Sequence, residues 1–430
     1  MRDIVFLVDD IGEDGELVTP TDRLRSISDN WQENLYEKNK DYYTKYTGKR
    51  VKFARLADAM SGSLDPSKRY LYFVPIEDWK CHLQLYFNVV SREKQEWMAK
   101  NGVGIYFAQD FEMYPNLDVN FFGNYLGWVL LCQLAHAPVT PIYFSLISDV
   151  AEKHRVPLKN AFGDRARFVT SPLLVNFARD ELFLKLGTID VHEIVRAYLS
   201  SPKEKSYVAL TRDSKYHRIS MIHGLRAHGL LSDGYVSYLM PRPYSPDSMW
   251  ARSAYADRVR ADMAFPLPRM TVDELPESLV PGIQAGIGGV LPIRHMTASC
   301  YDLVQETATN YEGGPLTLDM SVVTEKVVKS LFLGRPFLLN GGPRALALLR
   351  RWGFETFPML FDESYDDREE YVDRQEVIVR NVARWAGKRE EFMSVVRSRE
   401  VTALLDRNSQ RVTSFDFEST LIDEVARAER

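Results

Sequence analysis

Residues 324–367, TEKVVKSLFLGRPFLLNGGPRALALLRRWGFETFPMLFDESYDD, read as a helix, a buried strand and a second helix in succession. Thr324 can cap the first helix, and Glu325 puts negative charge in its first turn, where the helix dipole favours it. Val327, Val328, Leu331 and Phe332 form an apolar stripe at i, i+1, i+4 and i+5. Gly334 stops that helix, and Pro336–Leu339 is a short apolar run suited to a parallel strand buried on both faces. Gly341, Gly342 and Pro343 make a tight turn, and a helix from Arg344 to Trp352 closes at Gly353. This is an α/β unit, and open α/β sheets bind ligands beyond the carboxyl ends of their strands.

The same alternation runs back through the chain. Apolar runs at Asp3–Val8, Val51–Leu56, Tyr70–Ile76, Val103–Ala108, Pro141–Ile147 and Ala166–Val169 read as strands. Helix-period segments at Trp79–Ala99 and Phe121–Leu134 lie between them, which implies a parallel sheet covered on both faces. A helix at Val191–Leu199 runs into the polar joint Ser200–Lys205, a natural domain boundary. Beyond it come a strand at Ser206–Leu210, a helix from Tyr216 to His228, a Pro-rich insertion at Tyr244–Pro281 and a strand at Tyr301–Val304. After Asp367 the chain reads as helical to the end, with amphipathic helices at Glu369–Trp385 and Glu390–Leu405. The expected fold class is α/β: two doubly wound, Rossmann-like domains over 1–200 and 201–385, and a helical segment over 386–430.

At 430 residues the chain is long for one core, and 45% apolar residues with 22 Phe and 22 Tyr mark a folded globular protein. No apolar run is long enough to span a bilayer, and Met1–Asp10 enters a strand at once, unlike a secretory leader. Cys81, Cys132 and Cys300 are far apart and lack metal-ligand spacing, which fits a reducing, cytoplasmic setting. A formal charge of -5 argues against wholesale coating of nucleic acid while leaving room for a local basic face.

Three groups of residues are candidates for chemistry. Asp110 and Glu112 follow the strand VGIYFAQ and would stand at its carboxyl end, where a carboxylate can act as a general base or simply cap a helix. Asp9 and Asp10 form a weaker pair of the same kind. Arg212 and Arg218, with Lys215, surround the start of the helix after Ser206–Leu210, and a helix N-terminus flanked by cations suits phosphate. Glu306 just past a strand end suits ribose or sugar hydroxyls, and Lys326 could neutralise a departing phosphate. No GxGxxG and no Walker sequence is present. No Asp-x-Asp sits at a strand end either, since Asp362 and Asp366 lie on the DESYDD turn, so no catalytic metal is expected.

The third group is Lys38–Arg55, KNKDYYTKYTGKRVKFAR. Lys45, Lys49, Arg50 and Lys52 with interleaved Tyr42, Tyr43, Tyr46 and Phe53 could hold phosphates and stack on bases. The plainer reading is a solvated helix-loop with its aromatics packed inward.

The TEK helix start, the Pro-led strand, the Gly-rich turn and GFETF…DESYDD resemble the donor half of GT-B-type glycosyltransferases, above all those of bacteriophage and metagenomic viral genomes. TRDSKYHR and Glu306–Thr307 ahead of TEK resemble the same group, and TEK with its helix is similar to the nucleotide-sugar site of fucosyltransferase-like enzymes. The resemblance is firm in the C-terminal half and loose before it. It implies a nucleotide-sugar donor such as a UDP-sugar, held by Arg212, His217, Arg218, Glu306, Thr324, Glu325 and Lys326, with the cleft between two domains as the site. It further implies a hydroxyl acceptor, with 5-hydroxymethylcytosine in double-stranded phage DNA the leading choice and a saccharide or protein the alternative. A non-catalytic nucleotide- or sugar-binding protein on the same fold is a third reading.

Overall fold

The computed structural model describes residues 1–8, 46–75, 92–109, 141–146, 148–150, 155–156, 159–160, 162–173, 175–176, 178–179, 191–211, 216–238, 293–306 and 320–430. They form two compact units. One comprises Met1–Leu173 with Asp416–Arg430, and the other Leu174–Phe415.

The first unit is built on a parallel sheet of β1 (Asp3–Val8), β2 (Val51–Arg55), β3 (Lys68–Pro75), β4 (Gly104–Gln109), β5 (Ile142–Leu146) and β6 (Ala166–Thr170). The order is β2-β1-β3-β4-β5-β6, and every pairing is parallel. The inner strands were legible as apolar runs because a strand covered on both faces cannot alternate with polar residues, whereas the edge strand β2, VKFAR, keeps Lys52 exposed. Val5, Leu7, Ile105, Phe107 and Phe144 fill one side of the sheet. Phe6 lies on the other, its ring 5.7 Å from Tyr46, 5.3 Å from Phe53 and 4.8 Å from Phe73. Of the helix read over Trp79–Ala99, the part described is α1 (Arg92–Lys100). The helix read at Phe121–Leu134 and the insertion at Tyr244–Pro281 lie outside the described residues.

The second unit holds a four-stranded parallel sheet of β7 (Lys205–Thr211), β8 (Gly234–Tyr238), β9 (Ser299–Gln305) and β10 (Phe337–Asn340), in the order β10-β9-β7-β8. Among its described helices are α2 (Val191–Ser200), α3 (Tyr216–Ala227), α4 (Glu325–Phe332), α5 (Ala345–Arg351), α6 (Tyr371–Trp385), α7 (Arg389–Val396) and α8 (Arg399–Thr413). Both sheets reverse direction beside their first strand, between β1 and β3 and between β7 and β9, and such reversals open the ligand crevice of doubly wound sheets. Strand β8, short and partly polar, was not legible in the sequence.

The division of the chain departs from the expected boundaries in two places. Helix α2 falls in the second unit, not before the joint at 200. Tyr198, fully buried, donates to the Cys300 carbonyl at 2.5 Å, and Lys203 donates to the Thr297 carbonyl at 2.6 Å, so tertiary contacts outweigh the polar composition of the joint. The segment 386–430 is not one appendage: α7 and α8 stay with the second unit, and the residues from Asp416 onward join the first. The helix read over Glu390–Leu405 is broken at Ser398, whose hydroxyl caps α8 by accepting from Val401 N–H at 3.4 Å.

The last helix, α9 (Phe417–Ala428), is tied to the edge strand of the first sheet by one carboxylate. Glu418 accepts backbone N–H bonds from Lys49 (3.0 Å), Arg50 (2.8 Å) and Val51 (2.7 Å). The approach requires Gly48, where a Cβ would fall 2.1 Å from the Glu418 carboxyl carbon. Hydrogen bonds to a charged acceptor contribute about 1.5–3 kcal/mol, and three are shared here. Glu418→Ala is therefore expected to raise hydrogen exchange at the amides of residues 49–51 and along α9. Unchanged protection would show that the carboxylate does not hold the helix.

Candidate functional site

Four elements meet at the carboxyl edge of the second sheet: the ends of β9 and β10, the first turn of α3 and the N-terminus of α4. Glu306, the residue after β9, is fully buried and lies at their junction. Its backbone carbonyl accepts from His217 Nε2 (2.8 Å) and from Arg218 Nε (3.1 Å) and Nη2 (2.9 Å), both residues of α3. Its carboxylate accepts from the Thr324 N–H (3.1 Å) and hydroxyl (2.6 Å). Thr324 in turn caps α4, accepting from the Lys326 N–H at 3.4 Å, and the Lys326 ammonium lies 3.2 Å from the same hydroxyl and 2.6 Å from Glu325.

Two of these carboxyl groups have opposite electrostatics. Burial pushes the Glu306 carboxyl above its ordinary value, against the pull of Lys326 and the Thr324 bonds. Burial works in the same direction on Glu325, but the adjacent Lys326 charge and hydrogen bond outweigh it and hold that carboxyl below the usual range. Lys326 and Glu325 keep about a quarter and a fifth of their side-chain surface exposed (25% and 21%), so this pair is the accessible part of the cluster.

The expected site residues thus divide. His217, Arg218, Glu306, Thr324, Glu325 and Lys326 are brought into one network although His217 and Glu306 are 89 positions apart. Their roles differ from the expectation in one respect. Glu306 does not present its carboxylate to a sugar, because Thr324 takes both oxygens; the residue fixes the start of α4. Arg218 and His217, both about 97% buried, likewise secure the strand end. Arg212, Asp110, Glu112 and Lys45 lie outside the described residues.

The basic stretch departs further from a nucleic-acid face. Arg50 is engaged inside the unit, donating to Asp3 and Ser419 at 2.9 Å each. Tyr46 is fully buried, and the partly buried Phe53 packs on Phe6 and Phe73, so both rings are turned to the core. The side chains of Lys49 and Lys52 are exposed. Aromatic residues in a short basic stretch seek the core first, since burying each ring removes a large apolar surface from water.

Three residues of this edge escaped the sequence. Asn340 ends β10 and donates to Gln305 Oε1 at 2.6 Å, and Tyr371 donates to the His217 carbonyl at 2.6 Å. A polar residue ending each of two neighbouring apolar strands was the available signal, but the pairing that makes it meaningful is not local. Past the glycine turn, Asp366 starts α5 by accepting from the Leu346 N–H (2.8 Å) and Ala347 N–H (2.9 Å), and burial pushes its carboxyl up to about 6.

Among the described residues no three His, Cys, Asp or Glu side chains gather in a way that could hold a metal ion. No helix among them is long and apolar enough to cross a membrane. Compared with known proteins, the chain matches no protein-family model, no curated protein and no solved structure.

Proposed function

We propose that the protein is a GT-B-type glycosyltransferase that takes its sugar from a nucleotide-sugar donor and delivers it to a hydroxyl acceptor. The observation that carries this reading is the partly exposed Lys326, held by Thr324 and Glu325 at the edge where the β7–β9 strand order reverses. An ammonium fixed beside a helix N-terminus is suited to the charge that develops on a leaving diphosphate. In this reading Asp110 or Glu112 removes the acceptor proton, and the hydroxyl oxygen attacks the anomeric carbon as its bond to the diphosphate breaks. Lys326, with Arg212, takes the negative charge of the leaving group. Glu306, His217 and Arg218 hold the strand end and α4 in register, so that the donor meets a preformed site.

The leading acceptor is a 5-hydroxymethylpyrimidine in DNA, with exposed Lys49 and Lys52 as phosphate contacts. A saccharide acceptor is favoured by a specific observation, the inward packing of Tyr46 and Phe53, which removes half the aromatics that would have read bases.

The test is a transfer assay with radiolabelled nucleotide sugars, offered duplex DNA with and without 5-hydroxymethylcytosine, and oligosaccharides. Label in the modified duplex alone would support the DNA acceptor, and binding should then fall steeply with salt. Label only in saccharide would keep the enzyme and discard DNA. Lys326→Ala is expected to lower the transfer rate about 10²-fold, the usual loss when one preorganised charge partner is removed. No transfer, no donor hydrolysis and no nucleotide-dependent thermal shift together would end the enzyme reading.

A further inference from the structure

Gln305, the last residue of β9, is 2% exposed, and among the described residues its Nε2 has no hydrogen-bond partner. The orientation of this amide is fixed by its neighbours. Asn340 pairs with Gln305 across the parallel ladder and donates from Nδ2 to Gln305 Oε1 at 2.6 Å and to the His217 carbonyl at 3.5 Å. Turning the Gln305 amide over would set two N–H₂ groups against each other. Turning Asn340 over as well would set its oxygen against the His217 carbonyl. The unpartnered atom is therefore a donor.

Its position is as telling as its chemistry. The β7–β9 register pairs Val208 with Asp302, and three residues further along it brings Thr211 level with Gln305. Thr211, Gln305 and Asn340 thus make a polar row across three adjacent strands at the carboxyl edge, each at most 2% exposed. The row crosses the β7–β9 reversal and lies beneath the first turn of the 12-residue helix α3, through the Asn340 bond to His217. Glu306 alternates to the opposite face, toward Thr324, so the row is distinct from the Glu306–Lys326 network. Buried polar side chains in a parallel sheet interior are costly unless paired, and a donor left open at a ligand edge calls for an acceptor from the ligand.

We infer that Gln305 Nε2 donates a hydrogen bond to an acceptor oxygen of the nucleotide, and that the Thr211–Gln305–Asn340 row helps decide which nucleotide is taken. This rests on the nucleotide-sugar reading above. The oxygen is either a nucleobase carbonyl or a phosphate oxygen, and the two are separable.

The experiment titrates the full chain, wild type and Gln305→Met, with UDP, GDP, ADP and inorganic pyrophosphate by calorimetry, and records the thermal midpoint without nucleotide. The expected result is at least one nucleotide that binds the wild type and binds Gln305→Met tenfold or more weakly. Loss confined to UDP or GDP, which carry base carbonyls that adenine lacks, identifies a base contact. Loss that extends to pyrophosphate identifies a phosphate contact. Gln305→Glu, which keeps the acceptor for Asn340, is the second variant should Met not fold; at pH 8 it is expected to lose affinity too. Equal affinities in wild type and variants would overturn the inference while leaving the nucleotide site intact, as would happen if a buried water satisfied Nε2. A wild type that binds none of the four probes would overturn the nucleotide reading, and this role of Gln305 with it.

Discussion

Asp302→Ala is expected to destabilise the second unit by about 3–5 kcal/mol, the range for removing one partner of a buried ion pair. Asp302 lies in the middle of β9, and Arg335, just before β10, is 1% exposed. Its guanidinium Nε donates to Asp302 Oδ1 at 2.8 Å, and Nη2 lies 2.7 Å from the same oxygen. Ser330 donates to the other carboxylate oxygen at 2.7 Å, Arg335 also reaches Ser299 Oγ at 2.9 Å and the Met296 carbonyl, and its plane lies 4.7 Å from the Tyr198 ring. Without the carboxylate, a buried cation remains with only neutral partners. The measurement is urea unfolding followed by hydrogen exchange in β9 and β10, because a chain of two compact units need not unfold in one transition. Asp302→Leu with Arg335→Met should recover most of the loss, since apolar pairs of similar volume replace buried ion pairs at little net cost. An Asp302→Ala protein within about 1 kcal/mol of wild type would mean that the pair is not sealed from water, where ion pairs contribute about that much or less.

The second large effect is expected at Glu306. Glu306→Ala removes both acceptors of Thr324 and leaves the α4 N-cap unsupported, for a loss of about 2–3 kcal/mol by the worth of charged hydrogen bonds. The pH dependence separates the carboxylate's charge from its shape. Burial raises the folded-state value of Glu306 above its ordinary 4.5. Its contribution to stability is therefore complete below the ordinary value and is lost as pH rises through the raised one. Glu306→Gln keeps an acceptor for the Thr324 N–H but cannot ionise. The wild type should accordingly lose stability relative to Glu306→Gln as pH rises from about 4 upward, a window set by the ordinary carboxylate value. Parallel profiles for the two proteins would show that Glu306 is not held above its usual range.

Much of the candidate site was legible because its local part is local chemistry. Thr324 as a cap, Glu325 in the first turn and the glycine turn after Leu339 follow from the residues within a few positions of each. What was not legible is the use made of them. A glutamate after a strand looks the same in sequence whether it faces a sugar or an N-cap threonine 18 residues on. Arg50 and Tyr46 look like a nucleic-acid face until Asp3, Ser419 and the Phe6 cluster claim them.

An α/β class with parallel, largely covered strands can be read from the chain alone, since apolar runs and helix-period stripes are set by each segment's own residues. The strand order, the edge at which Gln305, Glu306 and His217 meet, and the return of Glu418 to the amides of residues 49–51 across more than 360 positions emerge only in the folded chain. The physical reason is that those pairings are selected by mutual burial and hydrogen-bond satisfaction between distant segments, and no property of either segment alone names its partner.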